Sequence, residues 1–231
     1  MIDQEQTSYR LTGDFVANAQ SINLLASFKC AMALDHKLPE AIVNLQGMSG
    51  KKYRYLINNL VQRTPDARYL EVGSWAGSTA CSASFGNTLS ITCIENWAAF
   101  YGPREYFIEN IQSILTPQID FTFIEKDFRV VDYSQIGQFN IYLYDGPHSE
   151  TDQYDGVMIA QPALDDVFTL IVDDWNWPEV RRGTNQAIAQ SLEVICSLEI
   201  RTTQDDSHAQ KAVQEHSEWH NGYFIAVCRK K

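Results

Sequence analysis

Short apolar runs alternate along the chain with longer amphipathic stretches, and this alternation restricts the fold more than any other feature. Five runs have the length and composition of buried strands and lie about 20 to 35 residues apart, which leaves room for a helix between neighbours. Strands that are connected through helices form a mostly parallel sheet, so the pattern predicts a doubly wound α/β fold. The runs read ARYLEVG, LSITCIEN, DFTFIEKDF, FNIYLYDG and FTLIVDDW.

The C-terminal part of the chain predicts two further strands, LEIRTT and YFIAVCRK, around a polar insert at residues 204–221. Two strands that are joined without a clear helix favour an antiparallel hairpin that closes the sheet. We therefore predict a seven-stranded sheet whose last strand is antiparallel. The length of the chain suits a single domain that covers residues 1–231.

The segment before the first predicted strand, residues 1–50, is expected to be helical. INLLASFKCAMAL is apolar enough to pack as a helix over one edge of the sheet or against a second copy of the chain, so a homodimer is one expectation. LPEAIVNLQ and GKKYRYLINNLVQR predict two more helices, and Ser49 is the expected N-cap of the second.

Charge and cysteine content argue against several classes of partner. The formal net charge is −11 and the isoelectric point is about 4.8, which opposes binding to nucleic acid or to an anionic membrane surface. The five cysteines are scattered without a C-x-x-C pair, which favours a reducing cytoplasm over a disulfide framework or a thiolate zinc site. The polar start MIDQEQTSYR differs from a signal peptide, and no apolar run reaches membrane-spanning length, so we expect a soluble cytoplasmic protein.

The first predicted strand ends in a turn with two glycines, Gly73 and Gly77, in LEVGSWAGSTA. Small residues in such a turn let the backbone approach a ligand closely, and the helix that follows offers free N–H groups to an anionic group. The G-x-x-x-G spacing differs from the G-x-G-x-x-G dinucleotide fingerprint, and no Walker lysine follows it. The turn suits a nucleotide-like cofactor, although glycines at such turns also serve close helix packing.

The next two predicted strands end in groups that an adenosine would use. Glu95 ends the second predicted strand in CIEN, where an acid can accept both hydroxyls of a ribose; an exposed acid at a strand end is the alternative. Asp127 and Phe128 end EKDF, where a carboxylate can accept from an exocyclic amine and an aromatic ring can stack on the base. Three successive strand ends of this kind favour an adenosine-containing cofactor.

This series of motifs resembles the class I S-adenosylmethionine-dependent methyltransferases over residues 68–188. LEVGSWAGSTA is similar to their first motif, CIEN to their ribose-binding acid and EKDF to their adenine segment. The resemblance implies a Rossmann-like fold and S-adenosylmethionine as the cofactor. The cofactor contacts that it implies are Glu71, Gly73, Gly77, Ser78, Glu95, Trp97, Asp127, Phe128 and Asp145.

The resemblance also implies which part of the cofactor these residues would contact. Glu71 and Gly73 would lie beside the methionine part, and Ser78 near its carboxylate. Trp97 would supply a second stacking face for the adenine; a core or surface tryptophan is the alternative at this position.

Acidic residues follow the fourth and the fifth predicted strands: Asp145 lies in LYDGPH, and Asp173 and Asp174 lie in LIVDDWNW. Adjacent strand ends in a doubly wound sheet would bring these side chains together. Three carboxylates in one cleft repel each other unless a cation neutralises them, and hard oxygen ligands favour Mg²⁺ or Mn²⁺ over zinc. The alternative is that one or two of these acids cap helices and the others face solvent.

The acids resemble the metal site of the metal-dependent O-methyltransferases. In the catechol type, an acid after the fourth strand and an acid–amide pair after the fifth hold Mg²⁺. Asp145 and Asp173 match this pattern, whereas Asp174 replaces the amide, as in the macrolide-sugar type with paired aspartates. His148 stands where the catechol enzymes carry a lysine base, so the resemblance implies that His148 acts with Asp145 in catalysis by accepting the hydroxyl proton. A histidine that caps the following loop or helix is the alternative.

The insert contains three histidines, His208, His216 and His220. The last two are four residues apart, a spacing that can place two imidazoles on one helix face, but no nearby cysteine or metzincin-like glutamate supports zinc. We therefore interpret the insert as a polar flap near the site.

Together these patterns predict an S-adenosylmethionine-dependent enzyme that uses Mg²⁺ or Mn²⁺ to methylate one of two adjacent hydroxyls on a small molecule, a sugar or a phenol. Trp175, Trp177 and Tyr154 are candidates for the substrate pocket, although aromatic residues at such positions are equally often core. Two alternatives remain open, a metal-independent O- or N-methyltransferase and a protein that binds adenosylmethionine without catalysis.

Overall fold

A computed structural model describes residues 7–99, 102–208 and 218–231. The strands are β1 (Ser8–Gly13), β2 (Arg68–Val72), β3 (Leu89–Glu95), β4 (Ile119–Glu125), β5 (Phe139–Tyr144), β6 (Leu164–Val172), β7 (Leu192–Arg201) and β8 (Tyr223–Lys230). The helices are α1 (Ala19–Met32), α2 (Glu40–Val43), α3 (Lys51–Arg63), α4 (Ser78–Ser84), α5 (Arg104–Ile114), α6 (Glu150–Ile159) and α7 (Pro178–Ser191).

The strands form one mixed sheet with the order β1-β7-β8-β6-β5-β2-β3-β4. The five neighbouring strands from β6 to β4 are parallel, and β8 is antiparallel to both β6 and β7. The doubly wound fold, the seven predicted strands and the antiparallel last strand are therefore confirmed.

The predicted strand count was wrong by one, because β1 adds an eighth strand at the sheet edge. This strand pairs antiparallel with β7, from Ser8 opposite Arg201 to Gly13 opposite Cys196. Its sequence, SYRLTG, is exposed on both faces apart from the half-buried Tyr9, so it lacks the alternation of a strand with one buried face. Residues 1–50 are accordingly not all helical.

Side chains of the central strands alternate between two helical layers, as the pleat of a strand requires. In β5, Ile141 and Leu143 join the core under α1, α3, α4 and α5, whereas Tyr142 and Tyr144 join the core under α6 and α7. Every residue of β5 is buried, which is why its sequence is a continuous apolar run apart from Asn140.

The start of α3 differs from the prediction. Gly50 is the N-cap and makes no side-chain capping bond, so the assignment of Ser49 as the cap was wrong. Ser49 Oγ instead accepts a hydrogen bond from Nε of the buried Arg54 at 3.0 Å. Arg54 Nη1 also donates to the carbonyl oxygens of Val43 and Leu45 at 2.9 and 2.8 Å, so it holds the loop between α2 and α3 in place.

The order of the strands reverses between β2 and β5. The chain continues from β2 to β3 and β4 on one side, and from β5 to β6 on the other. Doubly wound sheets open a crevice at the carboxyl ends of the strands at such a switch point. Gly73 and Asp145, each the residue directly after its strand, lie at this crevice.

Two further predictions concern membrane-spanning segments and the polar flap. Across the described ranges, no helix has the length and apolar content required to span a membrane. Of the predicted flap, residues 204–208 and 218–221 are described and 209–217 are not, so the prediction for His216 lies outside the described residues.

Candidate functional site

A cavity of about 580 Å³ lies at the crevice between β2 and β5. Residues that follow the carboxyl ends of the five parallel strands form most of its wall, and residues from both ends of the 204–221 insert complete it. Members of both predicted groups, the cofactor contacts and the acid cluster with His148, line this one cavity. The predicted residues that line it are Gly73, Glu95, Asp127, Phe128, Asp145, His148, Asp173 and Asp174.

Four predicted cofactor contacts, Glu71, Gly77, Ser78 and Trp97, are not among the described residues that line this cavity. Glu71 is fully buried beneath the turn, and its Oε2 accepts a hydrogen bond from the Tyr69 hydroxyl at 2.6 Å. Gly77 and Ser78 begin α4, a helix of small, entirely buried residues.

Trp97 packs away from the cavity. Its ring lies against Phe107 and Phe123, and its Nε1 donates to the carbonyl oxygen of Trp75 at 3.0 Å. In this structure Trp97 supports the turn after β2, so the geometry favours the core alternative over a second stacking face.

Of the three aromatic residues expected at the substrate pocket, only Trp177 is among the described residues that line the cavity. Trp175 is buried and stacks on Phe224, with ring centroids 4.5 Å apart. The Tyr154 hydroxyl donates to Gln190 at 2.8 Å on the helical layer of α6 and α7.

Gly73 allows the ends of β2 and β5 to meet closely. Its φ is 88°, and a Cβ at this position would lie 1.8 Å from the carbonyl oxygen of Asp145. Backbone bonds continue the sheet on both sides, from Gly73 N to Ile94 O at 3.0 Å and from Asp145 N to Val72 O at 2.9 Å. The glycine therefore couples the turn after β2 to the position of the acid after β5.

Glu95 organises two turns with one carboxylate. Its Oε2 accepts from the backbone N–H of Trp75 at 2.8 Å, and its Oε1 accepts from those of Asn96 and Trp97 at 2.8 and 2.7 Å. Trp75 and Trp97 have φ values of 44° and 47°, a region that costs energy for residues other than glycine. The charge-assisted bonds to Glu95 offset part of that cost.

Asp127 and Phe128 line the cavity after β4, which lies on the other side of the switch point from β6. Asp127 Oδ1 accepts from the backbone N–H of Arg129 at 2.8 Å. The Phe128 ring is fixed between Tyr144, at a centroid distance of 5.4 Å, and the Arg129 guanidinium, which lies 4.4 Å from the ring centroid. This part of the cavity wall therefore holds a carboxylate and a rigid aromatic ring that the Arg129 guanidinium covers.

Burial and mutual repulsion act on the acid cluster after β5 and β6. Burial and the charges of Asp173 and Asp174 raise the pKa of Asp145 well above the usual range of an aspartate. Burial and the charge of Asp174 also raise the pKa of Asp173. Burial would raise the pKa of Asp174 too, but the hydrogen bond and charge of His148 outweigh it and lower that pKa. A bound cation would relieve the repulsion that remains on Asp145 and Asp173.

The ligand atoms of Asp145, His148 and Asp174 lie within 4.8 Å of one another. His148 Nε2 is 2.8 Å from Oδ2 of Asp174, and Asn221 Nδ2 donates to the other oxygen, Oδ1, at 2.7 Å. Asp174 itself has a φ of 55°, and backbone outliers of this kind concentrate at functional sites. The grouping differs from the predicted metal set of Asp145, Asp173 and Asp174, because His148 takes the place of Asp173.

Sequence reasoning missed Asn221 and Met48 as parts of this wall and left the histidines of the insert without a defined role. His208 and His220 both line the cavity, and the His208 ring meets the Trp177 ring edge-on at 4.4 Å. Asn221 lies just before β8, and only the insertion of β8 between β6 and β7 brings it beside Asp174. No local motif signals that contact.

The buried Glu71 makes the stability of the folded protein depend on pH. Burial raises its pKa from 4.5 to about 7, against the hydrogen bond from Tyr69, which lowers it. Between these two values the folded protein keeps a proton on Glu71 that the unfolded chain releases. The contribution of Glu71 to the free energy of unfolding is therefore fully present below pH 4.5. It is lost as the pH rises from 4.5 through about 7, and the total loss is about 3 kcal/mol.

Replacing Glu71 with glutamine should remove this pH dependence, because glutamine keeps an acceptor for Tyr69 and does not titrate. From about pH 5 to about pH 8, the free energy of unfolding in urea should decrease more steeply for the wild-type protein than for Glu71→Gln. Parallel curves for the two proteins would show that Glu71 titrates in the folded protein as it does in the unfolded chain.

No protein-family model and no curated protein sequence matches this chain. Solved structures nevertheless share its fold. TomG from Streptomyces achromogenes, an O-methyltransferase involved in tomaymycin synthesis and solved with S-adenosylmethionine, matches with a TM-score of 0.56 and 13% identity. That match covers 90% of this chain and 96% of TomG.

Two further structures show the same likeness. TrmN from Thermus thermophilus matches with a TM-score of 0.54 and 14% identity over 83% of this chain, which spans about half (52%) of TrmN. PH1948 from Pyrococcus horikoshii, a candidate RNA methyltransferase, matches with a TM-score of 0.52 and 17% identity, covering 89% of this chain and 98% of PH1948. The chain therefore shares the Rossmann-like fold of these methyltransferases, as its motifs predicted.

Proposed function

We propose that this protein is an S-adenosylmethionine-dependent methyltransferase that methylates one of two neighbouring hydroxyls on a small molecule, a sugar or a phenol, at a divalent cation. One observation carries the proposal. A single cavity is lined both by adenosine-compatible groups at the ends of β3 and β4, Glu95 and Phe128, and by the acid cluster of Asp145 and Asp174 after β5 and β6.

The cofactor end fits S-adenosylmethionine. Glu95 presents a carboxylate that three backbone N–H groups hold in place, at the position suited to ribose hydroxyls. Phe128 lines the cavity as an apolar wall beside the adenine, and Asp127 would accept from the adenine amine. Beneath the glycine turn, the buried Glu71 has the hydroxyls of Tyr69 and Ser74 beside it, and both lower its pKa. The ionised form of Glu71 would attract the cationic amino-acid end of the cofactor through the turn.

The acceptor end fits a divalent cation. Asp145 and Asp174 would hold it, and the buried Asp173 would add a third negative charge behind them. When bound, S-adenosylmethionine supplies an electrophilic methyl group, and the cation lowers the pKa of a hydroxyl beside it. The chain's own residues would supply positioning, because one cavity can hold the acceptor oxygen next to the methyl group of the cofactor.

A small-molecule acceptor suits the charge of this site better than a nucleic acid does. TomG is an O-methyltransferase, whereas PH1948 is a candidate RNA methyltransferase, so fold likeness alone leaves both classes of acceptor. The net charge of −11 and the acids at the acceptor end would repel a polyanion.

The test is transfer of a labelled methyl group from S-adenosylmethionine to a panel of catechols and vicinal-diol sugars, with and without complete chelation of metals. We expect transfer that chelation abolishes and that an added divalent cation restores. Transfer that survives chelation would favour the metal-independent alternative. Tight binding of the cofactor without transfer to any acceptor would favour a non-catalytic role.

Removing the Glu95 carboxylate should weaken cofactor binding. In Glu95→Gln the amide –NH₂ cannot accept from the backbone N–H groups that both carboxylate oxygens now bind, so we expect affinity for S-adenosylhomocysteine to fall roughly 10- to 100-fold. Calorimetric titration measures this loss.

A ligand control separates a direct contact of Glu95 with the ribose from a purely structural role. If the carboxylate accepts from the ribose, the wild-type protein should bind S-adenosylhomocysteine more tightly than its 2′,3′-dideoxy analogue, and Glu95→Gln should lose most of that preference. An equal preference in both proteins would assign Glu95 to the turns alone.

A further inference from the structure

The imidazole of His148 lies within the acid cluster, and this position suggests a role other than that of a base. We propose that His148 Nε2 is a direct ligand of the cation, so that the site combines two carboxylates with one nitrogen and selects a transition ion such as Mn²⁺ or Co²⁺ over Mg²⁺. This inference rests on the proposed function, because it concerns the metal of that same site.

The structure places three possible ligand atoms close together, and one pair has the separation of two ligands on one ion. Ligand atoms from Asp145, His148 and Asp174 lie within 4.8 Å of one another, and His148 Nε2 is 2.8 Å from Asp174 Oδ2. Imidazole and carboxylate ligands bind divalent transition ions at roughly 2.0–2.2 Å, so two ligand atoms at right angles on one ion are about 3 Å apart. The pair of atoms from His148 and Asp174 therefore already has the separation of neighbouring ligands.

Surrounding residues hold these two ligand atoms in place. Asn221 Nδ2 donates to Asp174 Oδ1 at 2.7 Å, which leaves Oδ2 directed at His148. The Trp177 ring meets the His148 ring edge-on, with a centroid distance of 4.6 Å and an interplanar angle of 89°. Fixed orientation of ligands by outer residues is typical of metal sites.

The same geometry separates the ligand role from the role of a base. Without a cation, Nε2 of His148 donates its proton to Oδ2 of Asp174 at 2.8 Å. A cation that binds between these two atoms would release that proton to solvent and occupy the Nε2 lone pair, which is then closed to an acceptor hydroxyl. A nitrogen ligand changes the preferred metal, since imidazole suits later first-row ions and Mg²⁺ prefers oxygen ligands throughout. His220 also lines the cavity, but the group of ligand atoms found among the described residues does not include it.

Electron spin-echo spectroscopy of the Mn²⁺-loaded full chain tests the inference without an activity assay. The wild-type protein should show the modulation of a directly bound ¹⁴N, His148→Ala should lose it, and His220→Ala, the matched control, should keep it. Calorimetry should show that the wild-type protein binds Co²⁺ more tightly than Mg²⁺, and that His148→Ala lowers this ratio roughly 10- to 100-fold. His148→Gln provides a second variant if the alanine variant does not fold.

Three outcomes would overturn the inference: bound Mn²⁺ without nitrogen modulation in the wild-type protein, modulation that persists in His148→Ala, or no bound metal ion at all. The first two leave the proposed methyltransferase function intact, because a cation bound without His148 would still satisfy it. Binding of S-adenosylhomocysteine to the metal-free protein, measured in parallel, reports on the cofactor site independently of the metal.

Discussion

Gly73→Ala should destabilise the protein and abolish cofactor binding together. The new Cβ would lie 1.8 Å from the carbonyl oxygen of Asp145, and the backbone there has a φ of 88°. Strain at a positive φ and a clash with main-chain atoms add to a loss of roughly 2–5 kcal/mol in the free energy of unfolding. Because relief of the clash has to separate the ends of β2 and β5, the turn and Asp145 both move. Urea denaturation and titration with S-adenosylhomocysteine measure the two effects.

Gly137→Ala is the matched control for this substitution. Gly137 has a comparable φ of 105°, but the nearest atom to its added Cβ, Cζ of Phe139, is 4.0 Å away. We expect Gly137→Ala to lose only the strain energy, about 1–2 kcal/mol, and to bind S-adenosylhomocysteine normally. If the two variants were equally stable and bound equally well, the close contact between Gly73 and Asp145 would have no role.

Asp145→Asn should sharply lower methyl transfer while leaving the fold intact or more stable. Burial and the charges of Asp173 and Asp174 raise the pKa of Asp145 well above the usual range, so the neutral amide removes a repulsion from the metal-free protein. The same change removes a metal ligand, and we expect turnover at saturating cofactor to fall roughly 10²- to 10⁴-fold. Unfolding in urea without metal, and labelled methyl transfer with metal, measure the two halves of this prediction.

Asp166→Asn makes the same change of charge at an exposed position on β6, far along the strand from the cavity. It should leave turnover and the stabilisation by added metal unchanged. Asp145→Asn, in contrast, should lose most of the metal-dependent rise in thermal stability. Full turnover in Asp145→Asn would remove this carboxylate from the mechanism.

The central fold could be predicted from the sequence because its strands are short, continuous apolar runs. β5 and the second half of β6 are buried on both faces, so they read as continuous apolar runs that no amphipathic helix would show. β1 could not be predicted, since SYRLTG is exposed along most of its length and gains its strand conformation from pairing with β7. The prediction that Ser49 caps α3 was also wrong because of a contact that the local sequence does not signal: the buried Arg54, about one turn later, donates to Ser49 Oγ.

The candidate site divides in the same way. Residues at the carboxyl ends of parallel strands, such as Glu95 at the end of β3 and Asp145 directly after β5, could be placed from the sequence, because parallel strands bring these ends to one edge of the sheet. Contacts that depend on strand order could not. Asn221 reaches Asp174 only because β8 lies between β6 and β7. The distance between His148 and Asp174 depends on the loop after β5, which has no sequence signature for its path.

The central claim is that this cavity binds S-adenosylmethionine, and calorimetric titration of the metal-stripped protein with S-adenosylhomocysteine tests it most directly. We expect one site per chain with micromolar affinity, a binding free energy of about −8 kcal/mol. Repeating the titration with Gly73→Ala assigns the heat to the turn after β2. An absence of binding by a folded wild-type protein, with and without added Mn²⁺ or Mg²⁺, would contradict the claim.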